Sequence, residues 1–439
     1  MMMGTLLLSI CYFKERVIFS DASFYLFKLV KETRFAIFHF RFVAFLTQIL
    51  PLIARFFELP LYTISLLYSI SFPLVSILLF LWCNRIDKSG SYMLVMVLSP
   101  MLFTTGTFFW ITSEMTQGIM LCALFFAIQN VSKSPIKWHL LLLPIIVFSH
   151  LWAMMAFCFW VVFLFLHKVL KRRQAVMLLI ICLTLVLLKT IFFQEPYDWS
   201  SLGGIKNFIS LFPNYFTTHA FTAFIHLLPT QYYWVVILLF VNIRHYILSR
   251  NYLKLSLMLF AFSVSLLLVN VCFPSNSTPG YYLENLYQPI AVFLFVPFVF
   301  DVIITWSENL KRAIILLVII SAFIRIMTAY PIYHERLSFL EKTYKEVGNA
   351  KAIIPNNSYW KSKLYDTWSS PFEFWMIASF ECQKTPSIII TDSIGKMQHE
   401  GSHAKVFLLT WNGTPYADYP KKYFQFEDTI SVYQLMEKR

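Results

Sequence analysis

The sequence predicts a helical polytopic membrane protein with a small α/β region at its C-terminus. Three observations carry this. Of 439 residues, 58% are hydrophobic and 13% charged, whereas a soluble domain carries about 25% charged residues. Apolar segments recur at close to the length of a membrane span. Lys and Arg crowd into every second loop and are nearly missing from the loops between.

The apolar run 1–13 has no basic n-region and no A-x-A-like site, so it reads as a first span rather than a cleavable signal. Lys14 and Arg16 would snorkel at its end. Segment 14–60 alternates apolar stretches with Lys28, Arg34, Arg41 and Arg55, which predicts one or two amphipathic helices in the membrane interface. Further spans are expected at 61–83, 92–110, 115–131, 138–150, 152–167, 175–194, 233–249, 253–273, 286–304 and 312–330, giving eleven in all.

Orientation follows from charge. The loops carrying Arg85 and Lys88, Lys133 and Lys137, Lys168 to Arg173, Arg244 to Lys254, and Lys311 and Arg312 hold thirteen basic residues. The alternate loops hold one, Lys206. By the positive-inside rule the first set is cytoplasmic. The N-terminus is then cytoplasmic, and 14–60, 195–232 and the tail are extracytoplasmic. Segment 14–60 carries seven basic residues against this rule, which long loops obey weakly. The same topology accounts for the net charge of +13 without nucleic acid as a partner.

From about residue 333 the long apolar runs stop. Ser387–Thr391, 405–411 and 430–435 read as strands. Segment 359–382 reads as a helix that Pro371 should break. The expected division is therefore 1–332, a transmembrane module, and 333–439, an extracytoplasmic α/β domain. The seven cysteines are scattered, with no CxxC or Cys/His cluster, which argues against a disulfide framework or zinc site.

Polar residues near the outer helix ends are the candidates for chemistry. Asp21 follows the first apolar run and begins an amphipathic stretch, so it reads as a helix cap, a catalytic acid or both. Glu114 and His150 sit at external turns, and Glu284 begins a span. Each has a bland reading, as a solvated acid, a satisfied structural histidine and an interfacial cap respectively. Lys189 and Arg325 lie inside apolar segments near their outer ends. Either they snorkel, or they clamp a phosphate at that depth. Glu195, Asp198, His219 and His226 belong to the same outer set. No phosphate-binding loop, dinucleotide fingerprint, H-E-x-x-H or G-x-S-x-G occurs. The short inner loops leave no room for nucleotide chemistry, so no nucleotide cofactor is expected.

This layout resembles the GT-C superfamily of membrane glycosyltransferases. The resemblance lies in a first span, a long external loop with an acid near its start and interfacial helices, a multi-span bundle and an external C-terminal domain. Asp21 matches the superfamily's catalytic acid, although Ala22 and Ser23 stand where many members have a second acid, which leaves a divalent metal open. The resemblance implies transfer of a sugar from a polyprenyl-phosphate donor to an extracytoplasmic glycan, lipid or protein of the cell envelope, in a bacterial inner or plasma membrane. Asp21 would be the general base. Lys189 or Arg325 would hold the leaving phosphate, and Glu114, His150 and Glu284 would bind sugar or metal. The alternatives are a transporter or flippase of lipid-linked sugars, or a polysaccharide polymerase or ligase.

Overall fold

A computed structural model describes residues 1–111, 114–131, 136–193, 204–275, 278–348, 351–357, 359–360, 364, 366–381, 384–402 and 405–436. Glu195 and Asp198 lie outside them. The helices are α1 (Met2–Cys11), α2 (Phe13–Val17), α3 (Asp21–Glu32), α4 (Phe45–Phe56), α5 (Leu61–Ile86), α6 (Ser91–Leu102), α7 (Glu114–Val131), α8 (Ile136–Val147), α9 (Ala153–Leu166), α10 (Arg172–Phe192), α11 (His219–Leu227), α12 (Tyr233–Leu248), α13 (Tyr252–Cys272), α14 (Gly280–Leu286), α15 (Gln288–Pro297), α16 (Glu308–Val347), α17 (Ser370–Phe380) and α18 (Ile394–Gly401).

The count of eleven spans does not hold. Among the described residues five helical stretches are long and apolar enough to cross a membrane: Leu61–Ile86, Arg172–Phe192, Tyr252–Cys272, Gly280–Thr305 and Glu308–Val347. Six other apolar helices have 10–17 residues, short of the roughly 20 that a span needs. The difference is clearest at α6. Apolar sequence continues to Trp110, but the helix stops at Leu102 and residues 103–111 run as turns. The N-terminal run is likewise only a ten-residue helix.

The bundle is organised around α7 and α15. Every residue of α15 is buried, and α7 is buried on nearly all sides. Neither has a polar face, as befits helices surrounded by others. Gly118 lets α7 approach the turn after α8, since a Cβ there would lie 2.3 Å from Ser149 Oγ. At Pro297 the chain passes into a π-turn, Phe298–Val302. There Asp301 accepts from Lys254 Nζ at 2.8 Å and from Tyr246 Oη at 2.7 Å, tying α12 and α13 together.

Both amphipathic helices expected in 14–60 exist, as α3 and α4. The tail contains a parallel sheet ordered β2 (Ser387–Thr391), β1 (Lys351–Pro355), β5 (Gln434–Leu435), and an antiparallel pair, β3 (Val406–Leu408) with β4 (Gly413–Pro415). β2 is the strand expected. The other two expected strands are shorter than their apolar runs. Pro371 starts α17 rather than breaking it. A proline fits the first helical turn, where its missing N–H has no partner to lose.

The boundary expected at 332/333 falls inside α16, a continuous helix of 40 residues. The tail also shares its core with the N-terminal helices. Phe27 of α3 packs against Phe372, Trp375 and Phe424, with ring centroids 4.8–5.4 Å apart. One apolar cluster holds Leu26 and Ile64 together with Leu340, Trp375 and Ile388. α17 lies between α3 and the sheet, which explains its burial on every side.

Candidate active site

The site begins with a strained residue. Ser20 has φ 45° and ψ −121°, a conformation a Cβ-bearing residue adopts only when its surroundings impose it. Its N–H donates to Glu373 Oε1 at 2.8 Å, and its hydroxyl donates to Asp366 Oδ2 at 3.1 Å. Its carbonyl accepts from Ser23 Oγ at 2.7 Å. Glu373 is fixed in turn by Arg336 Nη2 at 2.8 and 2.9 Å and by Ser369 Oγ at 2.8 Å. The tail and α16 thus set the backbone immediately before Asp21.

Asp21 is the first residue of α3, and the N-cap is Ser20, whose side chain makes no capping bond. The Asp21 Oδ2 accepts from the Trp110 indole N–H at 2.7 Å. Burial pushes its carboxyl up to about 7. The Trp110 bond opposes that rise, the Asp366 and Glu114 charges add to it, and Arg41 opposes it. One helical turn on, Tyr25 donates to Glu114 Oε1 at 3.2 Å, and Arg41 Nη1 lies 3.6 Å from Glu114 Oε2. Three acids from distant parts of the chain therefore converge, with Arg41 the cation among them.

His150 joins this group through Arg41, and Lys189 joins it through His150. His150 is buried, accepts from Trp152 N–H at Nδ1, and is held neutral by burial and by the nearby Arg41, Lys189 and His39. Lys189 is buried, with its ammonium 5.5 Å from the Phe148 ring centroid.

Glu284 and Arg325 do other work. Glu284 accepts from the backbone N–H groups of Thr105, Gly106 and Thr107 and from Thr107 Oγ1. Arg325 donates to the carbonyls of Met101, Leu102, Gln231 and Ser321. These four bonds all go to backbone carbonyls, two of them on the last residues of α6, where carbonyls lack helical partners. These contacts give Arg325 and Glu284 a structural role, and Glu284 also lines a cavity with Gln231 and Tyr232. Together Arg325 and Glu284 shape the turn that carries Trp110 to Asp21. Glu284→Gln should cost about 1–3 kcal/mol, because an amide nitrogen would face N–H donors that need an acceptor. Thermal melting of the purified protein checks this.

Beside Asp366 a cleft of ≈ 750 Å³ opens at the carboxyl ends of β1 and β2. Its lining includes His219, Asn356, Asp366, Trp368 and Asp392. Among the described residues no three His, Cys, Asp or Glu side chains form a group that could hold a metal ion. His226, on α11, is not part of this lining. Sequence reasoning missed Trp110, Asp366, Arg336 and Glu373 as contributors. Arg41 had been visible only as a loop charge.

No known protein family, curated protein or solved structure matches the chain. What fold and site define is a class: a helical membrane protein with an acidic site where its bundle meets a C-terminal α/β region.

Proposed function

We propose that the protein is a membrane glycosyltransferase that moves a sugar from a polyprenyl-phosphate donor to a hydroxyl-bearing acceptor on the extracytoplasmic side. The observation that carries this reading is Asp21: a half-buried carboxyl pushed up to about 7 and gripped by Trp110, next in sequence to Ser20, which bonds Asp366 in the wall of an open cleft. A general base works best with a pKa near the working pH. The tail, the Asp21 site and segment 14–60 pack together and so share one side, which in this reading is the extracytoplasmic one.

In this mechanism the acceptor enters the cleft at the strand ends. Trp368 offers a ring face to a sugar, and Asn356 and Asp392 offer polar contacts. The acceptor oxygen attacks the anomeric carbon and gives its proton to Asp21. The bond from that carbon to the phosphate oxygen breaks, and the electron pair leaves with the polyprenyl phosphate. Arg41 and Lys189 supply positive potential around the reacting groups.

The test is donor cleavage by the full chain in proteoliposomes supplied with labelled polyprenyl-phosphate sugars and a glycan acceptor. Release of polyprenyl phosphate coupled to acceptor labelling is expected. Movement of intact donor between leaflets without cleavage would establish the transporter instead. Trp110→Phe adds a finer check. Removing the indole N–H removes the interaction that favours the carboxylate, so Asp21 needs a higher pH to ionise. The rising limb of kcat/KM against pH should move upward from about 7, which a pH–rate profile reads directly.

A further inference from the structure

Arg16, on α2, is 3% exposed. Its Nη1 donates to Ser9 Oγ, and its Nη2 to the Ser69 carbonyl at 3.4 Å. That carbonyl is open because Pro73, four residues later, has no N–H to give it. The guanidinium carbon lies 4.2 Å from the Phe108 ring centroid. Its Nε has no hydrogen-bond partner. Among the described residues no carboxylate pairs with it, and the adjacent Glu15 turns to His334 instead. Arginine keeps its proton in proteins, and a buried charge is costly unless paired. The fold therefore maintains a buried cation without a counter-ion.

Arg16 lines a crevice of ≈ 110 Å³ that is partly open to the outside. Its walls combine apolar side chains, Met1 and Met2 at the start of α1, Phe72 on α5, Pro100 on α6 and Met120 on α7, with polar ones such as Thr5, Thr104 and Gln288. Gln117 also lines it, and its Oε1 is likewise buried without a partner. Phe72 and Gln117 border the small cavity at Tyr25 and Glu114 as well, so the crevice adjoins the acidic site. From Arg16 the lining runs the length of α1 to Met1.

We infer that this crevice is a lipid-phosphate site, in which Arg16 pairs with the phosphate of a single-chain lipid whose first carbons lie along α1. The unpaired cation demands an anion, and the apolar side chains of the walls select one that carries a chain. The inference deepens the proposed function by naming Arg16, rather than Lys189 or Arg325, as the group that holds the donor's phosphate.

The test is binding without turnover. The full chain in detergent is melted with undecaprenyl phosphate, with undecaprenol and with inorganic phosphate. Undecaprenyl phosphate should raise the melting temperature and the other two should not. Arg16→Gln should weaken its binding at least tenfold, and Arg16→Lys less. Equal protection by undecaprenol would overturn the phosphate contact. Equal protection by inorganic phosphate would overturn the lipid source. Unchanged binding by Arg16→Gln would overturn the residue. Should Arg16→Gln fail to fold, the three-ligand comparison on the native protein decides, with Gln117→Ala as a second variant. Undecaprenyl phosphate binding without sugar transfer would keep this site and remove the glycosyltransferase reading. Transfer without such binding would do the reverse.

Discussion

Asp21→Asn is expected to cut sugar transfer by about 10²–10⁴-fold, the usual contribution of a general base, and to leave the protein at least as stable as before. The amide cannot take the acceptor's proton, but its oxygen still accepts from Trp110. Stability follows from linkage. The folded chain holds the Asp21 proton up to about pH 7, whereas the unfolded chain releases it near the ordinary aspartate value of about 3.9. Between those values the folded state binds more protons, so stability falls as pH rises through the window. Asparagine removes that loss. The melting temperature of Asp21→Asn should therefore exceed the native value by more at pH 8 than at pH 5. Transfer rates and melting curves at both pH values check the pair of claims, and transfer within tenfold of native would end Asp21's role as base.

The second large effect is expected at Arg336. Arg336→Met leaves Glu373 buried without its cation, which costs about 3–5 kcal/mol. Adding Glu373→Leu should restore much of this, because an apolar pair can replace a buried ion pair at little net cost. Activity should not return with it. Glu373 also accepts the Ser20 N–H, and without that acceptor the strained backbone before Asp21 can relax. Melting temperature and transfer rate, measured on the single and double variants, should therefore separate. Recovery of both would show that Glu373 serves stability alone.

The elements legible in the sequence are those set by local pattern. The apolar runs of α10 and α13, the strand at Ser387–Thr391 and the amphipathic stretches of α3 and α4 each carry their own signal. The spans that were overcounted depend on distant partners. The sequence after Leu102 is apolar enough for helix, but Glu284 holds its N–H groups in a turn from 177–179 residues away. The site divides in the same way. Asp21, Glu114 and Lys189 stand out as isolated polar groups in apolar surroundings. Asp366 and the Arg336–Glu373 pair sit in ordinary mixed sequence. Their importance rests on contacts such as Ser20 to Glu373, 353 residues apart, which no periodicity encodes. Arg325 was conspicuous for the right reason, the cost of a charge among apolar residues, but its partners turned out to be backbone carbonyls.

The helix Glu308–Val347 has one more consequence. Forty residues at 1.5 Å each make a rod about 60 Å long, twice the hydrocarbon thickness of a bilayer. Its apolar half is sized for lipid, and its charged half carries Arg336 to the Ser20 contact without a linker. The rod acts as a ruler. Under the proposed function, the height of the acidic site above the hydrocarbon would be fixed by where the apolar half matches the bilayer, and membrane thickness would become a setting of the reaction geometry.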